Sequence, residues 1–229
     1  MINRALFIVL ALGLCGPIPF LHAADAPAKS TATKPPPYEK DIEAFEKSDK
    51  ENPPPQHANL FVGSSTIRFW NTLSTDFPNA KTINRGFGGS QMSDLDRFAD
   101  RIIIPYHPDR IFMYEGDNDI AAGKSPQSVF ADFEDLAGKV HAALPNTDLY
   151  YLSIKPSPSR TKFMEKDKET NALIEAYCKS HEHFHYIDTW SLVVDAQGKP
   201  RPELFRPDML HMNRSGYELW VKKIAPLVK

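Results

Sequence analysis

Short apolar runs alternate with amphipathic stretches along most of this chain. Five runs have strand length and are rich in apolar and β-branched residues: residues 59–62, 81–84, 110–114, 149–154 and 183–188. Apolar residues at the three- and four-residue spacing of a helix face fill the intervals: residues 38–52, the stretches after Ser93 and after Ser125, residues 161–180 and the stretch after Asn213. The pattern therefore predicts strands and helices in alternation.

This alternation favours a parallel sheet between two layers of helices. Consecutive strands that are separated by a helix run parallel, because the helix carries the chain back to the start of the sheet. We therefore expect an α/β protein with a five-stranded parallel sheet in a three-layer α/β/α sandwich. In such sheets functional residues collect beyond the carboxyl ends of the strands. The residues that directly follow each run are consequently the ones to inspect for chemistry.

The first 24 residues have the pattern of a secretory signal peptide. Arg4 precedes an apolar run, and the segment finishes in Ala23 and Ala24, near which we expect cleavage. Glycines and prolines interrupt the run before it reaches the roughly 20 residues that a membrane span needs. A lipoprotein would use Cys15, but a bulky leucine precedes it where a small residue is expected. The segment predicts an exported, periplasmic or secreted protein with no stable membrane span after cleavage.

Residues 25–37 have the composition of a flexible linker. They are rich in Ala, Pro, Lys, Ser and Thr and have no apolar periodicity, so they cannot bury enough surface to fold. Residues 38–229 then form one domain, in keeping with about 150 residues per domain. Once Cys15 is removed, Cys178 is the remaining cysteine, which excludes an intramolecular disulfide. We interpret Cys178 as a buried space-filling residue.

Composition and charge exclude two classes of protein. The chain has 27 Lys and Arg against 29 Asp and Glu, a net charge of -2, so it offers no basic field for a phosphate backbone and a nucleic-acid partner is not expected. Its 41% hydrophobic and 24% charged residues are ordinary for a soluble globular domain, which excludes wholesale disorder.

Four segments at the predicted strand ends and before the last helix carry candidate chemistry: Gly63-Ser64-Ser65-Thr66-Ile67, Asn84-Arg85-Gly86-Phe87-Gly88-Gly89-Ser90, Glu115-Gly116-Asp117-Asn118-Asp119 and Asp208-Met209-Leu210-His211. A serine at a helix start lies beside backbone N–H groups and the positive end of the helix dipole, although most such serines only cap the helix. Glycines free a backbone N–H for a ligand, and an asparagine supplies an amide donor. An aspartate three residues before a histidine can orient its imidazole.

Together, in this order, the four segments resemble those of the SGNH hydrolases, also called the GDSL esterase/lipase family, over about residues 38–228. The resemblance implies a flavodoxin-like fold and a serine esterase. It implies Ser65 as the nucleophile, His211 as the base and Asp208 as its partner. The implied oxyanion hole consists of the N–H groups of Ser65 and Gly89 and the side chain of Asn118.

One departure from the family pattern concerns the first motif. The family usually has Gly-Asp-Ser, whereas this chain has Gly63-Ser64-Ser65. Counting from Gly63 places the nucleophile at Ser65 and leaves Ser64 in the position of the usual aspartate. The finer sequence of the first two motifs resembles bacterial enzymes near the platelet-activating-factor acetylhydrolase subunits, which implies short acyl groups.

Other sites have weaker patterns. Gly123-Lys124-Ser125 imitates part of a phosphate-binding loop, but Asn118 stands where its first glycine belongs. A dinucleotide-binding fingerprint that starts at Gly86 is incomplete, because Gln91 occupies the position of its last glycine. His181, His183 and His185 would share one face of a strand as metal ligands do, yet no second ligand cluster accompanies them. The Gly-x-Ser-x-Gly motif of α/β-hydrolases does not occur.

The sequence thus predicts an exported esterase without a cofactor or metal that hydrolyses short-chain, acetyl-type esters, including those of carbohydrates. Two alternatives stay open: a lysophospholipase or thioesterase for longer acyl chains, and a catalytically silent binding module on the same fold. The pattern leaves open whether Arg85, Lys155 and Arg160 line the cleft, and it favours a rigid loop for Lys155-Pro156-Ser157-Pro158.

Overall fold

A computed structural model describes residues 37–228 of the protein. The predicted signal peptide at 1–24 and, apart from Pro37, the predicted linker at 25–37 lie outside the described residues.

The centre of the domain is a sheet of five parallel strands: β1 (Asn59–Gly63), β2 (Thr82–Gly86), β3 (Arg110–Tyr114), β4 (Asp148–Leu152) and β5 (Phe184–Ile187). The strand order is β2-β1-β3-β4-β5, the order of flavodoxin-like sheets. The predicted fold class is confirmed. In this order β1 lies between β2 and β3. The segments that follow these three strands therefore lie side by side at the carboxyl ends of the strands.

Helices cover the sheet on both sides: α1 (Glu39–Glu51), α2 (Ser65–Arg68), α3 (Leu73–Asp76), α4 (Met92–Ile102), α5 (Asp117–Ala121), α6 (Pro126–Ala143), α7 (Met164–Ser180) and α8 (Arg214–Ile224). Short 3₁₀ segments lie at Ile104–Tyr106, Pro158–Phe163, Pro202–Leu204 and Ala225–Leu227. Among residues 37–228, no helix is both long enough and apolar enough to cross a bilayer.

Two hydrophobic cores hold the three layers together. Because side chains alternate along a strand, Leu60 and Val62 pack towards α1, α4, α6 and α7, whereas Phe61 packs towards α2, α3 and α8. The second core is strongly aromatic, with Phe61 stacked on Phe112 at 4.7 Å between ring centroids and Trp70 against Trp220 at 6.0 Å. The central strands β1, β3 and β4 are buried on both faces, which explains why they are nearly continuous apolar runs, whereas the edge strands β2 and β5 include polar residues.

Two helix starts follow from local sequence. The Ser125 side chain accepts a hydrogen bond from Ser128 N, and Pro126 occupies the first turn of α6. The Asn213 side chain accepts from Gly216 N at the start of α8. Cys178 is a buried free cysteine on α7, and burial raises the pKa of its thiol to about 12.

Strand and helix ends differ from the predicted ones by a few residues. The predicted strand 149–154 ends at Leu152, because the amide side chain of Asn171 takes both hydrogen-bonding groups of the Ile154 backbone, at 2.8 and 2.9 Å. The second strand continues to Gly86, which pairs with Gly63. The predicted helix 161–180 begins as the 3₁₀ turn Pro158–Phe163 before α7.

Candidate active site

The first motif places Ser65 at the start of α2, directly beyond the strand β1. The chain turns at Gly63, whose φ of 134° lies in the region that favours glycine. A Cβ at this position would lie 1.9 Å from the carbonyl oxygen of Tyr114, and that same oxygen accepts a hydrogen bond from Ser64 N at 3.2 Å. The close approach of β1 and β3 therefore requires Gly63 and fixes where α2 begins.

A continuous chain of hydrogen bonds joins Ser65, His211 and Asp208. Ser65 Oγ lies 2.9 Å from His211 Nε2, and His211 Nδ1 lies 2.7 Å from Asp208 Oδ2. Because an ionised carboxylate only accepts, Nδ1 carries the proton of a neutral imidazole and Nε2 accepts from the serine hydroxyl. Ser65 is half-buried, whereas Ser64 is buried.

The carboxylate of Asp208 is held by three donors. Its Oδ1 accepts from the backbone N–H groups of Leu210 and His211, both at 2.9 Å, while Oδ2 accepts from the imidazole. Partial burial raises its pKa, but the hydrogen bonds from His211 and Leu210 outweigh that effect and lower the pKa to about 2. Asp208 is consequently an anion throughout the neutral range.

The turn that carries Asp208 and His211 is fixed at its base. Met209 has a φ of 55°, and its N–H donates to Arg206 O at 2.9 Å. Arg206 N in turn donates to His211 O at 2.7 Å. Directly outside this pair, Phe205 and Met212 form an antiparallel bridge. These contacts close a tight loop between the sheet and α8.

One edge of the imidazole faces an aromatic ring. The centroids of Phe69 and His211 are 4.9 Å apart, with an interplanar angle of 88°. The guanidinium of Arg206 lies over the same phenyl ring, 4.8 Å from its centroid. Phe69 thereby limits the rotation of the imidazole.

The three predicted oxyanion donors follow the three adjacent strands β1, β2 and β3. Within residues 37–228, neither Ser65 N nor Gly89 N is paired with a protein acceptor. Gly89 has a φ of 87°, so it adopts the left-handed conformation that favours glycine. Asn118 lies in α5, and its Nδ2 donates to Ser90 O at 2.9 Å, which leaves the second amide hydrogen available.

Arg160 determines which way the Asn118 amide points. Both terminal nitrogens of Arg160 lie 3.2 Å from Asn118 Oδ1, and the guanidinium also forms an ion pair with Asp117 at 2.7 Å. Since a guanidinium only donates, the atom beside it must be the amide oxygen. The amide nitrogen is thereby directed to the opposite side, towards Ser90.

A buried carboxyl group contacts the glycine loop, residues 87–90, which follows β2 and carries Gly89. Glu115 is fully buried, and its Oε2 lies 2.8 Å from Ser90 Oγ, which is also 3.0 Å from Phe87 O. Burial, reinforced by the charge of Asp119, raises the pKa of Glu115 well above its usual range. Ser90 Oγ lies within hydrogen-bond distance of both Glu115 Oε2 and Phe87 O, so it links the buried carboxyl group to the loop that carries Gly89.

The three cations that the sequence left open lie in different surroundings. Arg85 binds Asp49 and Tyr106 at the α1 side of the domain. Lys155 is 1% exposed and donates to Leu210 O at 3.1 Å. Arg160 contacts Asn118, as described above. Local sequence does not reveal the last two contacts, because each partner is more than 40 positions away in the chain.

The alternative sites have structural partners of their own. Lys124 Nζ pairs with Asp119 at 2.8 Å and with Asp132 at 2.7 Å. His183 and His185 share Asp148 as their partner, at 3.0 and 3.3 Å. His181 instead stacks on Tyr177 at 3.8 Å between ring centroids. Among the described residues, no group of three or more His, Cys, Asp and Glu side chains is arranged to hold a metal ion.

Several solved structures share this fold. A Streptococcus pneumonia protein named after platelet activating factor has a TM-score of 0.74 and 20% identity, covering 83% of this chain and 92% of its own. A GDSL-like lipase from Bacteroides thetaiotaomicron has a TM-score of 0.70 and 18% identity over 81% and 96%. A catalytic mutant of an acetylxylan esterase from Geobacillus stearothermophilus has a TM-score of 0.62 and 12% identity over 75% and 94%.

The sequence itself matches a family model. No curated protein has a matching sequence. The model of the GDSL-like lipase/acylhydrolase family matches residues 62–219, which include the strand-end segments described above and the Asp208–His211 turn. The chain therefore belongs to the GDSL-like lipase/acylhydrolase family, the SGNH hydrolases, and is a carboxylic ester hydrolase.

Proposed function

We propose that the protein is an exported serine esterase that hydrolyses short-chain, acetyl-type carboxylic esters, carbohydrate esters among them, through Ser65, His211 and Asp208. The observation that carries the proposal is the hydrogen-bond chain from Ser65 Oγ to His211 Nε2 at 2.9 Å and from His211 Nδ1 to Asp208 Oδ2 at 2.7 Å. A serine hydroxyl is a weak nucleophile until an adjacent base removes its proton, and this chain supplies that base.

Acylation begins when Ser65 Oγ bonds to the ester carbonyl carbon while His211 Nε2 takes the hydroxyl proton. The carbonyl electron pair moves onto oxygen and gives a tetrahedral oxyanion. When the intermediate collapses, the bond from carbon to the alcohol oxygen breaks, and His211 returns its proton to the departing alcohol. The acyl group stays on Ser65. Asp208, ionised at neutral pH, stabilises the imidazolium in both steps.

Deacylation repeats these steps with water. His211 takes a proton from water as its oxygen attacks the acyl carbon, and the proton then returns to Ser65 Oγ as the bond to the serine breaks. The N–H groups of Ser65 and Gly89 and the side chain of Asn118 stabilise both oxyanions. Removing one such donor typically costs about 10²- to 10³-fold in kcat.

A groove of mixed polar and apolar lining, close to the helix α2 that begins at the nucleophile, supports a carbohydrate leaving group. A cavity of about 440 Å³ opens between α1, α3 and the edge strand β2, and its lining includes Asp41, Arg68 and Asn71. Arg68 and Ser65 both have a side-chain atom within 4 Å of the point where a Cβ on Gly88 would lie. Arg68, which lines the groove, is thus a near neighbour of the nucleophile. Hydroxyl-rich alcohols suit such a lining, because it offers both donors and acceptors.

Short acyl groups agree with the small amount of exposed apolar surface. Met209, at 40% exposure, is the single large hydrophobic side chain that is exposed among residues 37–228. A long acyl chain gains about 0.8 kcal/mol for each CH₂ that it buries, so it needs an apolar channel. The position of Met209 beside Asp208 is the observation that favours the second candidate, a lysophospholipase or thioesterase.

Export is the remaining part of the proposal. Residues 1–24 have the charged, apolar and small-residue regions of a signal peptide. Cell fractionation followed by N-terminal sequencing tests it: protein outside the cytoplasm with a mature terminus close to Ala24 is expected, and protein confined to the cytoplasm with Met1 retained would contradict export.

Hydrolysis of p-nitrophenyl acetate tests the chemistry. We expect activity in the wild type and in Ser64→Ala, and its loss by about 10⁴-fold or more in Ser65→Ala. Ser64 is the matched control, because it is a neighbouring serine that lies outside the hydrogen-bond chain. A series of acyl chain lengths and an acetylated oligosaccharide then define the substrate. Activity that survives Ser65→Ala would refute the mechanism, and kcat/KM that rises with chain length would favour the second candidate.

A further inference from the structure

The segment Lys155–Arg160, which follows β4, contacts both halves of the proposed catalytic machinery. We propose that Lys155 and Arg160 are positioning residues: Arg160 orients the oxyanion donor Asn118, and Lys155 fixes the turn that carries Asp208 and His211. The inference rests on the proposed function, because it assigns roles towards that same triad and oxyanion hole.

The Lys155 side chain is inserted behind the turn of the proposed acid-base pair. It is 1% exposed, and its Nζ donates to Leu210 O, the carbonyl between Met209 and His211, at 3.1 Å. The rings of Tyr114 and Phe205 flank the ammonium at 5.7 and 5.4 Å. Among residues 37–228, no carboxylate lies within 4 Å of Nζ to form an ion pair. The hydrogen bond to Leu210 is therefore its main directional contact.

A second bond from the same segment holds the neighbouring peptide. Ser159 N donates to Met209 O at 3.0 Å. The carbonyl groups of Met209 and Leu210, which lie between Asp208 and His211, thus both accept from Lys155–Arg160. Met209 has a positive φ of 55°, a conformation that a non-glycine residue adopts at a cost and that external contacts must maintain.

Arg160 contacts the proposed oxyanion hole through Asn118. Its two terminal nitrogens lie 3.2 Å from Asn118 Oδ1, and its ion pair with Asp117 at 2.7 Å anchors it to the same helix, α5. Without this guanidinium, only the hydrogen bond from Asn118 Nδ2 to Ser90 O would oppose a rotation of the amide by 180°, which presents its oxygen to the substrate. An acceptor in place of a donor repels the developing oxyanion, so Arg160 strengthens the preference for the productive rotamer.

Small displacements of catalytic groups lower the reaction rate strongly, since a displacement of about 1 Å can reduce it about 10²-fold. The segment Lys155–Arg160 contacts both the Asp208–His211 turn and Asn118. It therefore holds His211 and Asn118 in fixed positions relative to Ser65. Because neither residue touches the scissile bond, loss of either should lower kcat and leave KM within about twofold of the wild type.

Double-mutant cycles with p-nitrophenyl acetate test the proposal. We expect Arg160→Gln to lower kcat about 10- to 10²-fold, and Arg160→Lys to lower it less. In an Asn118→Ala background, Arg160→Gln should cost less than about twofold, because the group through which it acts is gone. Lys155→Met should likewise lower kcat about tenfold in the wild type and far less in Asp208→Asn. Lys155→Gln, which keeps a donor on a shorter stem, replaces Lys155→Met if that variant does not fold.

Matched controls separate positioning from stability. Arg101→Gln removes an arginine that forms two ion pairs, with Glu39 and Glu46, and Lys139→Met removes a lysine that donates to a backbone carbonyl, that of Asp96. Both should leave kcat unchanged, and all variants are compared by thermal unfolding. Full additivity in either cycle, or a change in KM alone, would overturn the proposal while the esterase assignment stands. An inactive wild type would contradict both the positioning proposal and the proposed esterase function.

Discussion

The hydroxyl of Tyr38 donates a hydrogen bond of 2.7 Å to the carbonyl oxygen of Gly89. Tyr38 directly precedes α1, whereas Gly89 carries one of the proposed oxyanion donors and has a φ of 87°. The two rings of Tyr38 and Phe87 also meet edge to face, with centroids 5.3 Å apart. Tyr38 therefore stabilises the glycine loop through both Gly89 and Phe87.

Tyr38→Phe keeps the ring contact and removes this hydrogen bond. A neutral hydrogen bond contributes about 1 kcal/mol, so we expect a decrease of about fivefold in kcat as the Gly89 peptide loosens. Steady-state kinetics with p-nitrophenyl acetate measure it. Tyr177→Phe, on α7, is the control; an equal loss in both variants would show that the Gly89 contact is unimportant.

Asp208→Asn should reduce kcat by about 10³- to 10⁴-fold, because an amide favours the wrong imidazole tautomer and cannot stabilise the imidazolium. Its effect on stability depends on pH. The folded-state pKa of Asp208, about 2, is below the unfolded value of 3.8. The stabilisation from the carboxylate is therefore present above pH 4 and lost as the pH falls through 2.

Urea unfolding of the wild type and of Asp208→Asn at several pH values measures this difference. The wild type should be the more stable protein at neutral pH, and the two curves should converge near pH 2. A constant difference in unfolding free energy over this range would contradict the assignment of an ionised, hydrogen-bonded Asp208.

Asp167 predicts the opposite dependence on pH. It is 2% exposed on α7, and its Oδ1 has no hydrogen-bond partner among the described residues. Burial and the nearby charge of Asp117 raise its pKa from 3.8 to about 8. Since the native state holds this proton more tightly than the unfolded state, the contribution to stability is lost as the pH rises from about 4 to 8.

Asp167→Asn removes the ionisable group and keeps the shape of the side chain. We expect a flatter profile of unfolding free energy between pH 4 and pH 8, with the variant more stable than the wild type at pH 8. Denaturant titrations at pH 5, 6, 7 and 8 test this. A steeper loss in the variant would show that the carboxylate is stabilised in the ionised form.

Ala44→Trp tests whether the groove beside α1 binds the alcohol part of the substrate. Ala44 is exposed and lines the groove, so an indole there should raise KM for an acetylated oligosaccharide about tenfold and leave p-nitrophenyl acetate hydrolysis unchanged. Ala172→Trp is the matched control, an exposed alanine on α7 that lines another cavity. Equal effects of both substitutions would show that the groove has no special role.

The sheet is predictable from sequence because both of its faces are covered. Each central strand then needs a run of apolar residues such as Leu60, Phe61 and Val62, and such runs are visible without a structure. The short helices α2, α3 and α5 have four or five residues, too few for a periodic pattern. Their positions follow from contacts between strands, as at Gly63 and Tyr114.

The site was predictable to a similar degree. The motifs identify Ser65, Gly89, Asn118, Asp208 and His211, and the structure brings these residues together at one edge of the sheet; their roles stay predictions. For Lys155 and Arg160 the sequence leaves open whether they line the cleft. A lysine beside two prolines has no local signal for burial, since the groups that cover it, Tyr114 and Phe205, belong to other parts of the chain.

Ser65 and His211 are 146 positions apart, one beyond the first strand and the other directly before the last helix. The nucleophile and its base therefore meet only when both ends of the domain are in place, and a chain that ends before residue 208 includes all five strand segments but not the base. Ester hydrolysis thus reports on completed folding. In refolding experiments, recovery of activity should coincide with the slowest structural phase, and no partly assembled form should release acid from an ester.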